Sequence, residues 1–332
     1  MAAGLFELRK DPITGWWVAT VVDRAFHRDR FRLAAEPVTH DGDCRNCQDP
    51  PGGGVRVRTL KEFAFHVVGT EDEARALDRS LAQLPISQAR ASGSWRTVVA
   101  PPGEHRPMHL VGTELIERLL AGCRDAVAAA AAVGETEYLQ VVQNWGAQAG
   151  ARTNHLCLDL YDLPQVPHRV AEEIGGAARF VIRAGECPYC RAVRDELSRG
   201  QRLVYQDASS VAFAPFASRS PFEVWVVPRE HAADFGRATD RDLASTAEAL
   251  RQVLRRLAAL DGPPYNLVLH TAPLREQVDA TYHWHWEIHP RLREIAGLEI
   301  GTGLPVNPVS PEEAVDELLR ELGDRTAAEV LR

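Results

Sequence analysis

One set of residues occurs twice in this sequence, in the same order and at nearly the same spacing. Each set holds a Cys-x-x-Cys pair, a histidine that closes a Pro-x-x-His run, and a second histidine in a strand-like run. The first set is Cys44, Cys47, His105 and His155, and the second is Cys187, Cys190, His231 and His283. The two histidines are 50 residues apart in the first set and 52 in the second. This agreement predicts a duplicated fold.

The segments between the histidines also repeat. Apolar residues at three- and four-residue spacing predict amphipathic helices from Thr113 to Val133 and from Asp240 to Leu260. Alternating runs in YLQVVQN, NHLCLDLYDLP, YNLVLH and YHWHWEIHPRL predict strands. Trp284 and Trp286 alternate with the histidines of the last run, so they are expected to point to the opposite face, into the core or an interface. Each half therefore combines helices with strands.

We predict an α+β protein of two tandem halves, each with an antiparallel sheet and packed helices. The halves are residues 1–170 and residues 171–332. A last helix is expected from Ser310, a typical N-cap before Pro-Glu-Glu, to Leu322. The segment from Glu71 to Ser94 is expected to be a surface connection, and GLEIGTGLPVN is not expected to open a helix.

Composition and charge exclude several classes of protein. The formal net charge is −8, so no basic field favours nucleic acid or an anionic membrane. The first residues have no apolar core typical of a signal peptide, and no apolar run is long enough to span a membrane. We therefore expect a cytoplasmic protein with reduced cysteines, in which paired cysteines indicate metal rather than a disulfide. Cys123, inside a helical pattern, is expected to be a core residue.

Each repeated set has the composition of a structural zinc site. Zinc in such sites is held tetrahedrally by four cysteine and histidine ligands, and a Cys-x-x-Cys pair orients two of them in advance. The sequence thus predicts one zinc ion in each half. A competing set exists in the second half, because Glu173, His270, His283 and His285 also have the composition of a metal site. His283 cannot readily serve both sets, and the repeated spacing favours the cysteine set.

Several motifs resemble one known family. They are ELRKDPITGWWV, the Cys-x-x-Cys pair, NWGAQAGARTNH, PREHAADF, YHWHWEIHPRL and AGLEIGTGLPVNPVSPEEA, and they extend from about Glu7 to about Leu322. They resemble galactose-1-phosphate uridylyltransferases, a branch of the histidine-triad superfamily. The resemblance implies two similar α+β halves and transfer of a nucleoside monophosphate through a covalent intermediate on histidine. It also implies a nucleotide-sugar or nucleoside phosphate substrate, and a homodimer in which the tail reaches the neighbouring subunit's substrate.

The resemblance assigns roles to individual residues. The first half of the family carries His-Pro-His-x-Gln, in which the first histidine binds zinc, the second is the nucleophile and the glutamine hydrogen-bonds a phosphoryl oxygen. This chain has His155, Cys157 and Asp159 at the three positions. The zinc ligand is thus retained, whereas the nucleophile and the glutamine are replaced. Asn144 and Arg24 match family positions that contact the nucleotide.

The two replacements change the expected chemistry. A thiolate is strongly nucleophilic but needs a lowered pKa, and a carboxylate at Asp159 tends to raise the pKa of Cys157. Asp159 would also repel the phosphate. Three interpretations are open: Cys157 is a covalent nucleophile in nucleotidyl, phosphoryl or acyl transfer; His285, beside Glu287, is the working residue; or the protein binds a nucleotide without transfer. A buried filler role for Cys157 and a core role for His285 are the simpler alternatives.

Overall fold

The computed structural model describes residues 6–21, 35–38, 44, 46–47, 54–67, 89–133 and 136–329. The strands are β1 (Phe6–Lys10), β2 (Trp17–Val21), β3 (Arg56–Val67), β4 (Ala89–Val99), β5 (Tyr138–Trp145), β6 (Cys157–Leu163), β7 (Leu203–Gln206), β8 (Ser210–Phe213), β9 (Val224–Pro228), β10 (Tyr265–His270), β11 (His285–Pro290) and β12 (Val306–Asn307). The helices are α1 (Thr113–Val133), α2 (His168–Ala184), α3 (Pro188–Arg199), α4 (Asp240–Ala258), α5 (Gly297–Thr302) and α6 (Pro311–Glu329). These elements confirm the predicted α+β class.

Nine strands form one antiparallel sheet in the order β3-β4-β6-β5-β10-β11-β9-β8-β7. The strands of the first half, β3 to β6, lie together on one side, and β7 to β11 lie together on the other. Strands β5 and β10 pair at the centre and join the two groups. The duplicated sequence thus contributes two neighbouring groups of strands to one continuous sheet. The division into separate domains at residue 170 stays a prediction.

The strand register defines a local two-fold axis. Val142 of β5 lies opposite Val268 of β10. Val142 also pairs with Asp159 of β6, and Val268 pairs with Glu287 of β11. Rotation about an axis through the Val142–Val268 pair therefore exchanges the two halves and brings Asp159 onto Glu287.

The same axis relates two further pairs of residues. Cys157 and His285 each precede the paired carboxylate by two positions, so they are equivalent. Asn144 and His270 each follow the central valine by two positions and are equivalent as well. Because side chains alternate along a strand, these residues share one face of the sheet with the carboxylates.

The opposite face of the sheet carries the main core. Helices α1 and α4 pack on it, and α4 begins with a capping box in which Thr239 and Asp242 each accept a backbone N–H of the other. Trp284 and Trp286 are fully buried in this core, and so is Cys123 of α1. The predicted core positions of these three residues are confirmed.

The face that carries Asp159 and Glu287 is covered over the second half. Helices α2 and α3 pack there against β8 and β9 and bury Tyr189, Phe213 and Trp225. Helix α2 also touches the N-terminal turn, where a Cβ added at Gly176 would lie 1.9 Å from the carbonyl oxygen of Ile13. A glycine is therefore required at that contact. Strands β1, β2 and β12 form a separate small sheet beside this layer.

Some predicted boundaries need correction. The last helix extends to Glu329, although Ser310 does cap it by accepting the backbone N–H of Glu313 at 3.2 Å. Residues 71–88 of the predicted surface connection lie outside the described residues. Its end, from Ala89 to Ser94, belongs to β4 because it pairs with the long strand β3. The stretch that begins at Gly297 does open a short helix, α5. Within the described residues, no helix has the length and apolar character needed to cross a membrane.

Candidate functional site

The four predicted ligands of the first half lie together. Cys47 Sγ is 3.1 Å from His105 Nε2 and 3.4 Å from His155 Nδ1, and Cys44 Sγ is 3.8 Å from His155 Nδ1. All four ligand atoms lie within 4.8 Å of one another. The second ring nitrogen of His155 is 3.0 Å from the carbonyl oxygen of Ala100, which orients Nδ1 toward the cysteines. Such a backbone partner is typical of a metal-binding histidine.

The four predicted ligands of the second half form a matching group. Cys190 Sγ is 3.3 Å from His231 Nδ1 and 3.6 Å from His283 Nδ1, and the four ligand atoms, with Cys187, again lie within 4.8 Å. The outer nitrogen of His231 contacts the carbonyl oxygen of Asp279 at 2.6 Å. The rings of the two histidines meet edge to face with centroids 5.3 Å apart, compared with 5.1 Å in the first half. The two groups are thus built alike.

Asp159 has a partner that the sequence did not reveal. Arg152 Nη2 lies 2.9 Å from one carboxylate oxygen of Asp159 and 3.0 Å from the other. The guanidinium carbon of Arg152 lies 3.8 Å from the centre of the Trp95 ring, and that ring stacks on Tyr161 at 5.5 Å. The available signal was an arginine inside NWGAQAGARTNH, seven residues before Asp159. Nothing in the spacing of that loop predicts that it folds back onto β6.

The surroundings of Cys157 disfavour its thiolate. Burial and then the neighbouring Asp159 carboxylate raise the pKa of the Cys157 thiol to about 12. At neutral pH the thiol form then predominates, whereas a nucleophilic cysteine normally has a lowered pKa. The raised pKa of Cys157 agrees in direction with the effect predicted for Asp159, although burial makes the larger contribution to it.

Asn144 lies at the end of β5, on the same face as Cys157. Its Oδ1 accepts a hydrogen bond of 2.7 Å from Asn266, and its Nδ2 makes no hydrogen bond within the described part of the chain. The following loop turns at Gly146, whose φ is +83° and where a Cβ would lie 2.9 Å from Pro264. Arg24, the other predicted nucleotide contact, lies outside the described residues.

His285 is enclosed by other side chains. It is 0% exposed, and its ring centroid lies 4.8 Å from that of Trp225, 5.0 Å from Tyr189 and 5.1 Å from His270. Its Nδ1 is 3.0 Å from the carbonyl oxygen of His283. Its Nε2 has no hydrogen-bond partner among the described residues. The ring is therefore oriented but not accessible.

Glu173, His270 and His285 form a third group of ligand atoms within 4.8 Å. Glu173 Oε2 is 2.9 Å from His270 Nδ1 and accepts the hydroxyl of Tyr282 at 2.8 Å. The competing set predicted from the sequence also included His283. The Nδ1 atom of His283 faces the cysteines instead, so three of the four competing residues remain together.

Glu287 is the centre of a buried charge network that the sequence did not indicate. It accepts hydrogen bonds from Arg169 at 2.9 and 3.0 Å, from Arg219 at 2.9 Å and from His289 at 2.9 Å. Burial opposes its ionisation, but Arg169 and the neighbouring histidines hold the pKa of Glu287 well below its usual value. Burial alone would lower the pKa of His289, yet Glu223 and Glu287 raise it.

A cavity of about 570 Å³ lies beside this network. Its floor includes Gln140, Asn266, His270, Glu287 and His289, from strands β5, β10 and β11. Its walls include four arginines: Arg169, Arg219, Arg291 and Arg293. The volume is within the range of pockets that bind small molecules.

Comparison with known proteins places the chain in a family. Residues 115–332 match the model of a domain of unknown function, DUF4921. The chain is 31% identical to ADP-glucose phosphorylase of Arabidopsis thaliana over 338 aligned positions, which cover 95% of this chain and 93% of that protein. It is 29% identical to galactose-1-phosphate uridylyltransferase of Thermotoga maritima over 55% of this chain and 59% of that protein.

Solved structures agree with these relatives. The crystal structure of the Arabidopsis thaliana ADP-glucose phosphorylase with bound ADP-glucose matches with a TM-score of 0.73 and 26% identity, over 95% of this chain and 98% of that one. A uridylyltransferase structure matches with a TM-score of 0.72 and 27% identity, over 96% and 99% of the two chains. The resemblance read from the motifs is thereby confirmed. This chain belongs to the galactose-1-phosphate uridylyltransferase family, together with ADP-glucose phosphorylase.

Proposed function

We propose that this protein binds a nucleotide-sugar, such as ADP-glucose, and transfers its nucleotidyl group to an anionic acceptor. The observation that carries the proposal is the 31% identity to ADP-glucose phosphorylase over 95% of the chain. The site is the face of the sheet that holds Asn144, Cys157 and Asp159, because these residues occupy the family's nucleotide and phosphoryl positions. The half-buried state of Cys157 supports a ligand at this face, and so does the Nδ2 of Asn144, which has no partner among the residues that the structure describes.

The transfer is proposed to be direct rather than through Cys157. With the pKa of Cys157 raised to about 12, the thiol is a poor phosphoryl acceptor at neutral pH. In a direct transfer, an oxygen of the acceptor phosphate forms a bond to the α-phosphorus. The bond from that phosphorus to the bridging oxygen breaks, and the sugar 1-phosphate leaves with the electron pair. The covalent route remains the alternative that the experiment must exclude.

The second half is the competing location for transfer. The orientation of His285 by the carbonyl oxygen of His283 suits a nucleophile. However, Trp225 and Tyr189 enclose its ring, and no substrate reaches Nε2 without displacing them. We therefore assign His285 and Glu287 a positioning or structural role.

We propose that each Cys2His2 group holds a zinc ion. A tetrahedral zinc site with bonds of about 2.0 to 2.3 Å has ligand–ligand edges of about 3.3 to 3.8 Å. The distances of 3.4 and 3.8 Å in the first group and 3.3 and 3.6 Å in the second lie in this range, and the distance of 3.1 Å between Cys47 and His105 is slightly shorter. Bound zinc would supply a structural cross-link and no reacting group. His283 is assigned to the cysteine set rather than to the set with Glu173 and His270.

We further propose a cytoplasmic homodimer. Exposed apolar side chains cluster near α5, namely Ile295, Leu298 and Ile300, with exposures of 59%, 57% and 76%. Exposed apolar groups of this density are typical of an interface. The corresponding tail reaches the neighbouring subunit in the family that the sequence resembles. Light scattering coupled to size exclusion gives the mass directly, and a monomer at micromolar concentration would contradict this part of the proposal.

The test of the function is a product assay with a mass measurement. The protein is incubated with ADP-glucose and phosphate, and with UDP-sugars as comparison substrates, and the release of ADP or UDP is measured. We expect turnover with a nucleotide-sugar, retained activity in Cys157→Ala, and no nucleotidyl adduct in the intact-protein mass. An adduct that disappears in Cys157→Ala would replace the direct route by the covalent one. Absence of turnover with all substrates would leave only the binding role.

A further inference from the structure

We propose that Arg152 is the residue that binds a phosphoryl oxygen of the nucleotide in this protein, and that Asp159 and Trp95 hold it in place. This inference rests on the proposed function, because it concerns the same face of the sheet. It makes Arg152 a specificity-determining residue for phosphate-bearing ligands.

The ion pair leaves most of the guanidinium donors available. Only Nη2 of Arg152 bonds to Asp159, at 2.9 and 3.0 Å. Within the described residues, its Nε and Nη1 make no hydrogen bond. The Arg152 side chain is 43% exposed, whereas that of Asp159 is 8% exposed. The carboxylate therefore anchors the inner edge of the guanidinium, and the outer edge faces solvent.

The aromatic side chains fix the plane of the guanidinium. Arg152 lies over the Trp95 ring at 3.8 Å, and Tyr161 supports the ring from β6, directly opposite Trp95 in the strand register. The ion pair with Asp159 sets the position of the guanidinium, and the contact with the Trp95 ring sets its orientation. A pre-oriented arginine loses less rotational freedom when it binds a phosphate, and its planar fork matches phosphate oxygens.

This arrangement accounts for an unfavourable charge at the site. The resemblance places Asp159 where a glutamine donates a hydrogen bond to a phosphoryl oxygen. An ionised carboxylate cannot donate, and it repels an anion. Arg152 compensates the charge of Asp159 and supplies N–H donors beside it. The replaced glutamine and the added arginine thus form one functional unit.

The simpler alternative is that Arg152 only neutralises Asp159. In that case removal of Arg152 would weaken phosphate-bearing ligands only because the uncompensated Asp159 carboxylate repels them, and removal of that charge as well would restore their affinity. If Arg152 binds phosphate, the affinity for phosphate-bearing ligands must stay low when Asp159 is also neutral, and the affinity for the free nucleoside must stay unchanged. A variant that lacks both charges therefore separates a binding role from a neutralising one.

The experiment measures the affinities of the full chain for ADP-glucose, ADP and adenosine by calorimetry. Arg152→Met should lower the affinity for ADP-glucose and ADP about 10- to 100-fold, which is the range expected for charge-assisted hydrogen bonds. The affinity for adenosine should change less than about twofold. Arg152→Lys keeps the charge but loses the planar fork, so an intermediate loss is expected. Arg124→Met is the matched control, because Arg124 is also ion-paired, at 2.6 Å to Asp240, but lies on α1 across the sheet.

A double variant separates direct binding from neutralisation. Arg152→Met leaves the charge of Asp159 without its partner, whereas Arg152→Met with Asp159→Leu removes that charge and adds no donor. If Arg152 binds phosphate, the double variant should bind ADP-glucose as weakly as Arg152→Met does, and recovery of the wild-type affinity would show that Arg152 only neutralises Asp159. If the wild type binds ADP-glucose and ADP and Arg152→Met binds them with the same affinity, this inference alone is overturned. No binding of any nucleotide by the wild type would instead remove the proposed function, and this inference with it.

Discussion

Strands β6 and β11 occupy equivalent positions about the local axis, but their surroundings differ in exposure. Beside β6, Cys157 is half-buried, and Arg152 keeps 43% of its side chain exposed while it pairs with Asp159. Beside β11, His285 and Glu287 are both 0% exposed. In the first half Cys157 and Arg152 reach solvent, whereas in the second half His285 and Glu287 do not.

The difference shows which parts of the duplicated unit changed. Both halves keep the Cys2His2 group and the antiparallel strands that it joins. Helices α2 and α3 cover the polar face only in the second half, where their residues Arg169, Glu173 and Tyr189 fill the space around His285. The Cys2His2 scaffold thus occurs twice, and our proposal places nucleotide binding in the first half.

Loss of a metal ligand should have the largest effect. Cys44→Ser and Cys187→Ser should each remove one of two zinc ions and lower the Tm by about 10 °C or more, because structural zinc contributes several kcal/mol to folding. The fall should be larger for Cys187→Ser, since Cys187 is 6% exposed and belongs to the buried cluster that includes Tyr189. Elemental analysis measures the zinc content and thermal unfolding measures the Tm. Cys123→Ala is the control and should keep two zinc ions. Retention of both ions in the serine variants would contradict the metal assignment.

The two equivalent carboxylates should differ in their contribution to stability. Glu287→Gln leaves Arg169 and Arg219 without their buried partner, so we expect a loss of about 3 to 5 kcal/mol in the free energy of unfolding. Asp159→Asn releases only the exposed Arg152, and its loss should stay below about 1 kcal/mol. Urea unfolding of both variants gives the comparison. Equal losses would mean that the two halves are equally enclosed.

Cys157 should react slowly with alkylating reagents. With its pKa at about 12, its thiolate is about 10³-fold scarcer than that of a free cysteine at the same pH. Asp159→Asn should speed the reaction only modestly, because burial is the larger cause of the raised pKa. Alkylation by iodoacetamide, followed by peptide mass spectrometry, measures the rate. A rate at Cys157 as fast as that of a free thiol would restore the covalent mechanism.

The smallest effect is expected from the titration of His289. The pKa of His289 is raised, so its stabilising charge is fully present below about pH 6.5 and is lost as the pH rises through the folded value. The free energy of unfolding should therefore decline above pH 6.5, and His289→Gln should flatten that decline. An Asp159→Asn variant should retain it, because Asp159 is in the other half. If the free energy of unfolding declines equally in His289→Gln and in the wild type, the decline belongs to another titrating group.

The sequence predicted those features that local patterns encode. The spacing of the cysteines and histidines predicted that each set of four residues lies together, and three- and four-residue periodicity predicted α1 over its observed range. Alternation predicted that Trp284 and Trp286 are buried. Each of these depends on residues close in the chain or on a repeated pattern.

The missed features depend on distant residues or irregular loops. Glu287 meets Arg169 across 118 residues and Arg219 across 68, and no pattern marks these partners. Arg152 reaches Asp159 from a loop whose path is set by tertiary contacts, including the turn at Gly146. Burial decided the state of Cys157, and neighbouring residue types alone do not reveal the extent of burial.

The central claim is that the first half binds the nucleotide-sugar. Hydrogen exchange measured by mass spectrometry, with and without ADP-glucose, tests this directly on the whole chain. We predict that the strongest protection falls in peptides covering residues 144–159, with little change in residues 283–289. Protection confined to residues 283–305, around the cavity beside β11, would contradict the assignment of the site to the first half.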